Sequence, residues 1–293
     1  MQRLERAAVF CAPGLFVVLW STGFIGGKYG LPYAEPFTYL SLRMICVVSI
    51  LTVVLVLTRP VWPSGAGIAH SAVTGSLMHG LYLGGVFFAI DRGMSPAVSA
   101  LIVGMQPVLT STLANRLLGE RVTPLQWLGL LLGLLGVFLV VRSNVAGATA
   151  APLAAWVASV IALIGITLGT LYQKRFGGAI DWRCSFLFQY GAAGLMAGTA
   201  ALLFERRVVQ WDPHFIGALA WMVLVLSLSA IWLLYFLIRR SAATRVVSLF
   251  YLTPPVTALM AWAIFGDRLD AWSLIGMAVC AGGVILVNRG AAR

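Results

Sequence analysis

Polar side chains inside long apolar runs are where chemistry can sit in this 293-residue chain. His79 lies in Met78-His79-Gly80-Leu81-Tyr82, and Tyr82, three residues on, shares its helix face. An imidazole deep in an apolar run needs a partner or a wet cavity. It serves either as a ligand for a solute or as a donor to a backbone carbonyl of a neighbouring helix. Gln106-Pro107 and Thr253-Pro254-Pro255 each place a polar side chain before a proline in mid-run. Such a proline removes a helix hydrogen bond and frees a carbonyl. Pro107 and Pro254 are therefore candidate gating points, and Gln106 and Thr253 candidate directional contacts to a polar solute. Trp20-Ser21-Thr22-Gly23 and Thr167-Leu168-Gly169-Thr170 offer Trp20, Thr167 and Thr170 as wall residues, with Tyr172 nearby. Ser227 and Ser229 provide hydroxyls for a facing wall. Small residues at such points equally suit close helix packing.

The acidic residues are as informative as these. All nine, Glu5, Glu35, Asp91, Glu120, Asp181, Glu205, Asp212, Asp267 and Asp270, fall at the ends of apolar runs or between them. No carboxylate is positioned to alternate between a proton and a cationic solute, which argues against cationic substrates. His79 is then expected to act as a hydrogen-bonding ligand that carries no proton through a cycle. There is no H-E-x-x-H, no G-x-S-x-G and no pair of intramembrane aspartates, so no enzyme is expected. Cys11, Cys46, Cys184 and Cys280 have no close Cys or His neighbour for a metal, and they suit small core positions. No cofactor or metal is expected. Arg43 lies about two turns inside its run, shallow enough at ~1.5 Å per residue to snorkel outward in a structural role, with binding of a carboxylate as the alternative. Glu120-Arg121 and Asp267-Arg268 are expected as interfacial anchors and salt-bridge candidates.

The elements that must hold these residues follow from composition. The chain is 60% hydrophobic and 10% charged, against about 25% charged in soluble domains. That defines an all-α integral membrane protein. Spans of about 20 residues are predicted near 7–27, 36–57, 70–90, 95–115, 123–141, 153–173, 182–203, 213–238, 243–265 and 270–288. The first, although it follows a basic start, is too long for a signal-peptide core and stays attached. The net charge of +11 resides in short connections, which fits membrane orientation and not a nucleic-acid partner. Thirteen Lys and Arg fall on the side of both termini and six on the other, so both termini are expected in the cytoplasm.

The chain also repeats itself. Pro107, Gly119-Glu120-Arg121, Gly129, Gly136-Val137 and Arg142 return 147 positions later as Pro254, Gly266-Asp267-Arg268, Gly276, Gly283-Val284 and Arg289. Two units, residues 1–148 and 149–293, are expected, joined by the alanine-rich Ser143–Pro152 linker. Five spans per unit make the second enter the membrane from the opposite side, an inverted repeat that suits alternating access. Gly129, Gly133 and Gly136, with Gly276, Cys280 and Gly283, form small-residue seams on spans five and ten. They are expected to serve as scaffold or as a homodimer contact.

Two five-span units ending in Pro-x11-Gly-[Glu/Asp]-Arg, the first opening with Leu19-Trp20-Ser21-Thr22-Gly23-Phe24 and Lys28, resemble the drug/metabolite transporter superfamily, in particular its ten-span EamA-type exporters. The resemblance covers nearly the whole chain. Gly75-Ser76-Leu77-Met78-His79-Gly80-Leu81-Tyr82 is similar to span three of bacterial exporters of aromatic amino acids. It implies spans one to four and six to nine around a central cavity, with five and ten outside. Gln106 stands where those exporters can carry an aromatic residue, which leaves a broader amino-acid range open. The expectation is an inner-membrane exporter of amino acids or related small zwitterionic metabolites. Other small metabolites or drugs, or a non-transporting scaffold, are the alternatives.

Overall fold

The structure is a computed structural model and describes residues 2–94, 96–145, 151–178, 180–265 and 270–290. It is a bundle of helices. Among the described residues the one extended pairing is an isolated antiparallel bridge between Ala34 and Val209. Helix α1 covers Gln2–Gly30 and α2 covers Pro36–Thr58. The third run is α3, Gly65–Gly75, a π-helical segment, Ser76–Leu81, and α4, Tyr82–Asp91. Helices α5, Pro96–Val103, and α6, Gln106–Leu118, make the fourth. Helices α7, Pro124–Val145, α8, Leu153–Phe176, and α9, Trp182–Phe204, follow. The eighth run is α10, Pro213–Trp221, a π-helical segment, Met222–Ala230, and α11, Ile231–Arg240. Helix α12, Ala243–Ser248, passes through a 3₁₀ turn, Leu249–Leu252, into α13, Thr253–Phe265, and α14 is Ala271–Arg289.

Eight of the described helical segments are long and apolar enough to cross a membrane, among them Pro36–Thr58, Gly65–Asp91 and Pro213–Arg240. The chain is thus a multi-pass membrane protein. Acidic side chains act where the helices begin. Asp181, Asp212 and Asp270 accept the backbone amides of Arg183, His214 and Ser273, satisfying donors that a first turn leaves open. Glu205, at the end of α9, accepts the amides of Phe37 and Thr38 and the Thr38 hydroxyl, each at 2.7 Å. It closes the start of α2 across the bundle. Glu120 was expected to be an ion-pair anchor and instead accepts the Ala243 amide at 3.0 Å, at the start of α12. The Asp267-Arg268 pair lies outside the described residues, as do residues 146–150 of the Ser143–Pro152 linker.

Helices α7 and α14 pack along their glycines. A Cβ at Gly129 would stand 2.6 Å from the Gly283 carbonyl oxygen, so the backbones touch and nothing larger fits. Cys280, fully buried, points its thiol at the Gly133 carbonyl, 3.6 Å away. The glycine seam is thereby spent inside the chain. A dimer through these helices would use their opposite faces, where Leu128, Leu131, Leu135 and Ile275 are exposed. Cys184 is also buried, whereas Cys11 is exposed and so is not a core residue. Other close pairings are α2 with α9, α8 with the third run, α1 with α10 and α13, and α6 with α8.

Candidate functional site

The fourth and ninth runs break at matching points. Helix α5 ends at Val103, and α6 restarts with Pro107 in its first turn. In the other run the 3₁₀ turn gives way to α13 at Thr253-Pro254. Proline lacks the amide that would continue a helix but suits a first turn. The two prolines therefore set where each run restarts. Gln106 and Thr253, 147 positions apart, stand at the restarts and are 1% and 4% exposed.

Gln106 extends its amide to the Thr170 hydroxyl of α8 at 3.3 Å, and Thr170 in turn donates to the Ile166 carbonyl. The Gln106 Oε1 atom has no partner, nor have the hydroxyls of Thr110, Thr167 and Thr253, all buried. The Thr253 carbonyl accepts the Ser21 hydroxyl of α1 at 3.3 Å. Each break is thus tied by a polar contact to a first helix of the sequence repeat, α8 or α1. Trp20 takes no part in this. Its ring packs 5.3 Å from Phe16 and edge-on to Phe250 at 5.1 Å, in an aromatic cluster between α1 and the 3₁₀ turn.

The two π-helical segments also correspond. Met222–Ala230 contains the residues 147 positions after Ser76–Leu81. The extra residue per turn widens the helix and re-aims side chains, a feature frequent at functional sites. His79 sits in the first segment, 2% exposed, with its ring stacked on Tyr190 of α9 at 4.5 Å and 11°. Its Nε2 atom has no partner. Ser227 sits in the second segment, fully buried, and donates to the Met222 carbonyl five residues back. Ser229 instead faces outward and is exposed. Tyr82 is buried near His79 on the same run.

Arg43 corrects a sequence expectation. It does not snorkel outward; it is 4% exposed and turned inward, with Nε donating to the Ser227 hydroxyl at 2.8 Å. The reason is orientation. Depth along a helix permits snorkelling only for a residue on an outer face, and Arg43 shares its face with buried Tyr39, Leu40 and Val47. Tyr190, 147 positions after Arg43, donates to the Ser227 carbonyl at 3.0 Å. The centre of the bundle therefore joins Arg43, Ser227, Tyr190 and His79 into one contiguous polar set. Beside it, Gln189 donates to Gln173 Oε1 at 3.2 Å and to the Ser185 hydroxyl at 2.8 Å. Sequence reasoning missed Tyr190, Gln189 and Gln173. The repeat offset from Arg43 was the available signal for Tyr190.

The two ends of the bundle differ. At the end carrying residues 174–180 and 235–241, Lys174 donates to the Ile238 and Ser241 carbonyls at 2.7 and 2.5 Å. Tyr235 donates to the Gly177 and Ile180 carbonyls. Below them His70 stacks on Phe176 at 4.5 Å and hydrogen-bonds the Tyr172 hydroxyl. Toward the other end a cavity of about 500 Å³ opens between α1, α10 and α13, lined by Thr22, Tyr29, His214, Trp221 and Met260. Each acidic residue whose side chain is described stands at a helix end, and among the described residues no three His, Cys, Asp or Glu side chains form a metal-binding group.

A multi-pass helical bundle with a buried polar centre at paired helix breaks has the architecture of a membrane transporter. The EamA-like transporter family matches residues 10–142 and again 152–289, and the chain belongs to that family, within the drug/metabolite transporter superfamily. The chain is 25% identical to the uncharacterized transporter YvbV of Bacillus subtilis, over 98% of this chain and 94% of that protein. It is 23% identical to the uncharacterized inner membrane transporter YedA of Escherichia coli K12, over 99% and 94%. A probable amino-acid metabolite efflux pump of Escherichia coli K12 is 23% identical over 89% and 88%. A solved crystal structure superposes with a TM-score of 0.80 at 18% identity, covering 96% of each chain, a likeness of fold alone.

Proposed function

We propose that the protein exports amino acids or related small zwitterionic metabolites by alternating access. On this reading residues 1–148 and 149–293 are two inverted five-helix repeats. Helix α1 and the run from α12 to α13 are then membrane spans alongside the eight above. The observation that carries the reading is the repeat-matched pair of helix breaks, with buried polar atoms left unpaired at Gln106, Thr167 and Thr253. A buried polar atom without a partner is costly. Such atoms in a site that opens in turn to each side would be satisfied by a solute or by water. The similarity to a protein named as a probable amino-acid metabolite efflux pump supports the choice of solute.

The substrate contacts on this reading are His79, Tyr82, Gln106, Thr167, Thr170, Ser227 and Thr253, with Trp20 supporting the wall. Pro107 and Pro254 act as flexion points. On this reading the protein lies in the inner membrane with both termini cytoplasmic, an orientation that the basic asymmetry of its connections supports. The Lys174 and Tyr235 contacts then close the cytoplasmic end, and the cavity beside Trp221 faces the periplasm. A homodimer would form through the outer faces of α7 and α14. Uptake of a labelled amino-acid panel by proteoliposomes tests the reading: protein-dependent uptake of at least one member is expected, and uptake of none overturns it.

A further inference from the structure

We propose that Arg43 is a carboxylate-binding residue, so that the solutes of this site are those bearing a carboxylate. The proposal rests on the transport reading above and names the group by which a solute is recognised. Four observations converge. Arg43 is 4% exposed, about two turns inside a helix apolar enough to span a membrane. None of the ion pairs among the described residues involves it. Its Nε contact is the neutral Ser227 hydroxyl, and the neutral Tyr190 hydroxyl lies beside it. His79, stacked on that same Tyr190, leaves its Nε2 atom without a partner.

An arginine stays charged in any protein environment and has five N–H donors. Neutral hydroxyls can accept from it but cannot offset its charge. A cation held at membrane depth without a carboxylate is costly, and such residues mark solute or ion pathways. Among the described residues Arg43 is not one half of a structural ion pair either, because the acidic side chains described stand at helix ends. A solute carboxylate supplies what is missing. With Nε engaged by Ser227, the guanidinium retains outer N–H groups that match a carboxylate's paired oxygens. His79 Nε2 is then available for a second polar contact, on the solute's carboxylate or on its amino group. The same arrangement disfavours a solute with net positive charge, which would face Arg43 without compensation.

The test uses the purified full-length protein and matched ligand pairs, read as thermal stabilisation over a concentration series. The carboxylates are L-phenylalanine, L-leucine, L-threonine and benzoate, each set against its carboxamide, with glycerol phosphate included as an anion of another class. At least one carboxylate is expected to bind ten or more times more tightly than its amide. Arg43→Lys should weaken that binding about tenfold, and Arg43→Gln should remove the preference over the amide. The wild-type comparison needs no variant, so a variant that fails to fold leaves the test intact. Amino acids and their amides binding equally would overturn the role of Arg43 and spare the export reading. Benzoate binding with Arg43 dependence, but no amino acid, would support Arg43 and overturn the amino-acid reading. Stabilisation by glycerol phosphate alone would overturn the carboxylate assignment, and no binding by any member would overturn both.

Discussion

Removing the Lys174 ammonium should open one end of the bundle without unfolding it. Lys174 ties the end of α8 to the Ile238 and Ser241 carbonyls at the end of α11, at 2.7 and 2.5 Å. If these ends part when the site opens to this side, both bonds exist only in the closed state. Hydrogen bonds from a charged donor contribute about 1.5–3 kcal/mol each when buried. Lys174 is half-buried, so about 2 kcal/mol for the pair is a fair discount for competing water. At about 1.4 kcal/mol per tenfold, Lys174→Met should raise the ratio of open to closed protein about 30-fold. A single-cysteine reporter at Ser71, buried beneath this end, reads that ratio in a background without the four native cysteines. While the open form is rare, labelling by an impermeant maleimide is proportional to its population. The rate should rise about 30-fold, with the unfolding temperature little changed. An unchanged rate in a folded variant would refute the idea that these bonds hold the end shut.

Three further outcomes are expected. Pro107→Ala and Pro254→Ala should shift accessibility in opposite directions, because they set matching breaks in copies proposed to be oppositely inserted; reporters on each side check this, and equal shifts would count against it. His79→Gln should retain measurable, weakly pH-dependent transport, since it keeps a polar group at the unpartnered Nε2 position, whereas His79→Leu should lose most of it; transport across a pH series separates the two. The Asp181 carboxyl is held below its ordinary range, first by the side-chain hydrogen bond from Arg183. The stabilisation is therefore present above that ordinary range and is lost as pH falls through the lowered value, so thermal unfolding followed from pH 6 down to about 3 should show a decline in the wild type that is smaller in Asp181→Asn.

Much of the scaffold was legible because proline and glycine constrain the backbone directly. The mid-run prolines marked where α6 and α13 restart, and the glycines marked the α7–α14 seam. The repeat offset linked Gln106 to Thr253 before any contact was known. What one dimension could not supply was orientation around each helix. Arg43 was assigned by depth, whereas its hydrogen bond to Ser227 depends on which face of α2 turns inward. Trp20 suited a solute wall by residue type, yet Phe16 and Phe250 take its ring. The π-helical segments were equally hidden, because neither segment holds a proline or another local signal for the extra residue per turn. Tyr190 was legible in principle as the residue 147 positions after Arg43, but its importance comes from stacking on His79, a tertiary contact.

Counterflow tests the central claim most directly. Proteoliposomes preloaded with an unlabelled amino acid that the protein accepts are diluted into a trace of the same amino acid in labelled form. A carrier whose site faces one side at a time should accumulate label transiently above its equilibrium level, and Gln106→Ala should diminish that overshoot. Simple equilibration without overshoot, or no protein-dependent entry for any amino acid in the panel, would contradict alternating access through this buried polar centre.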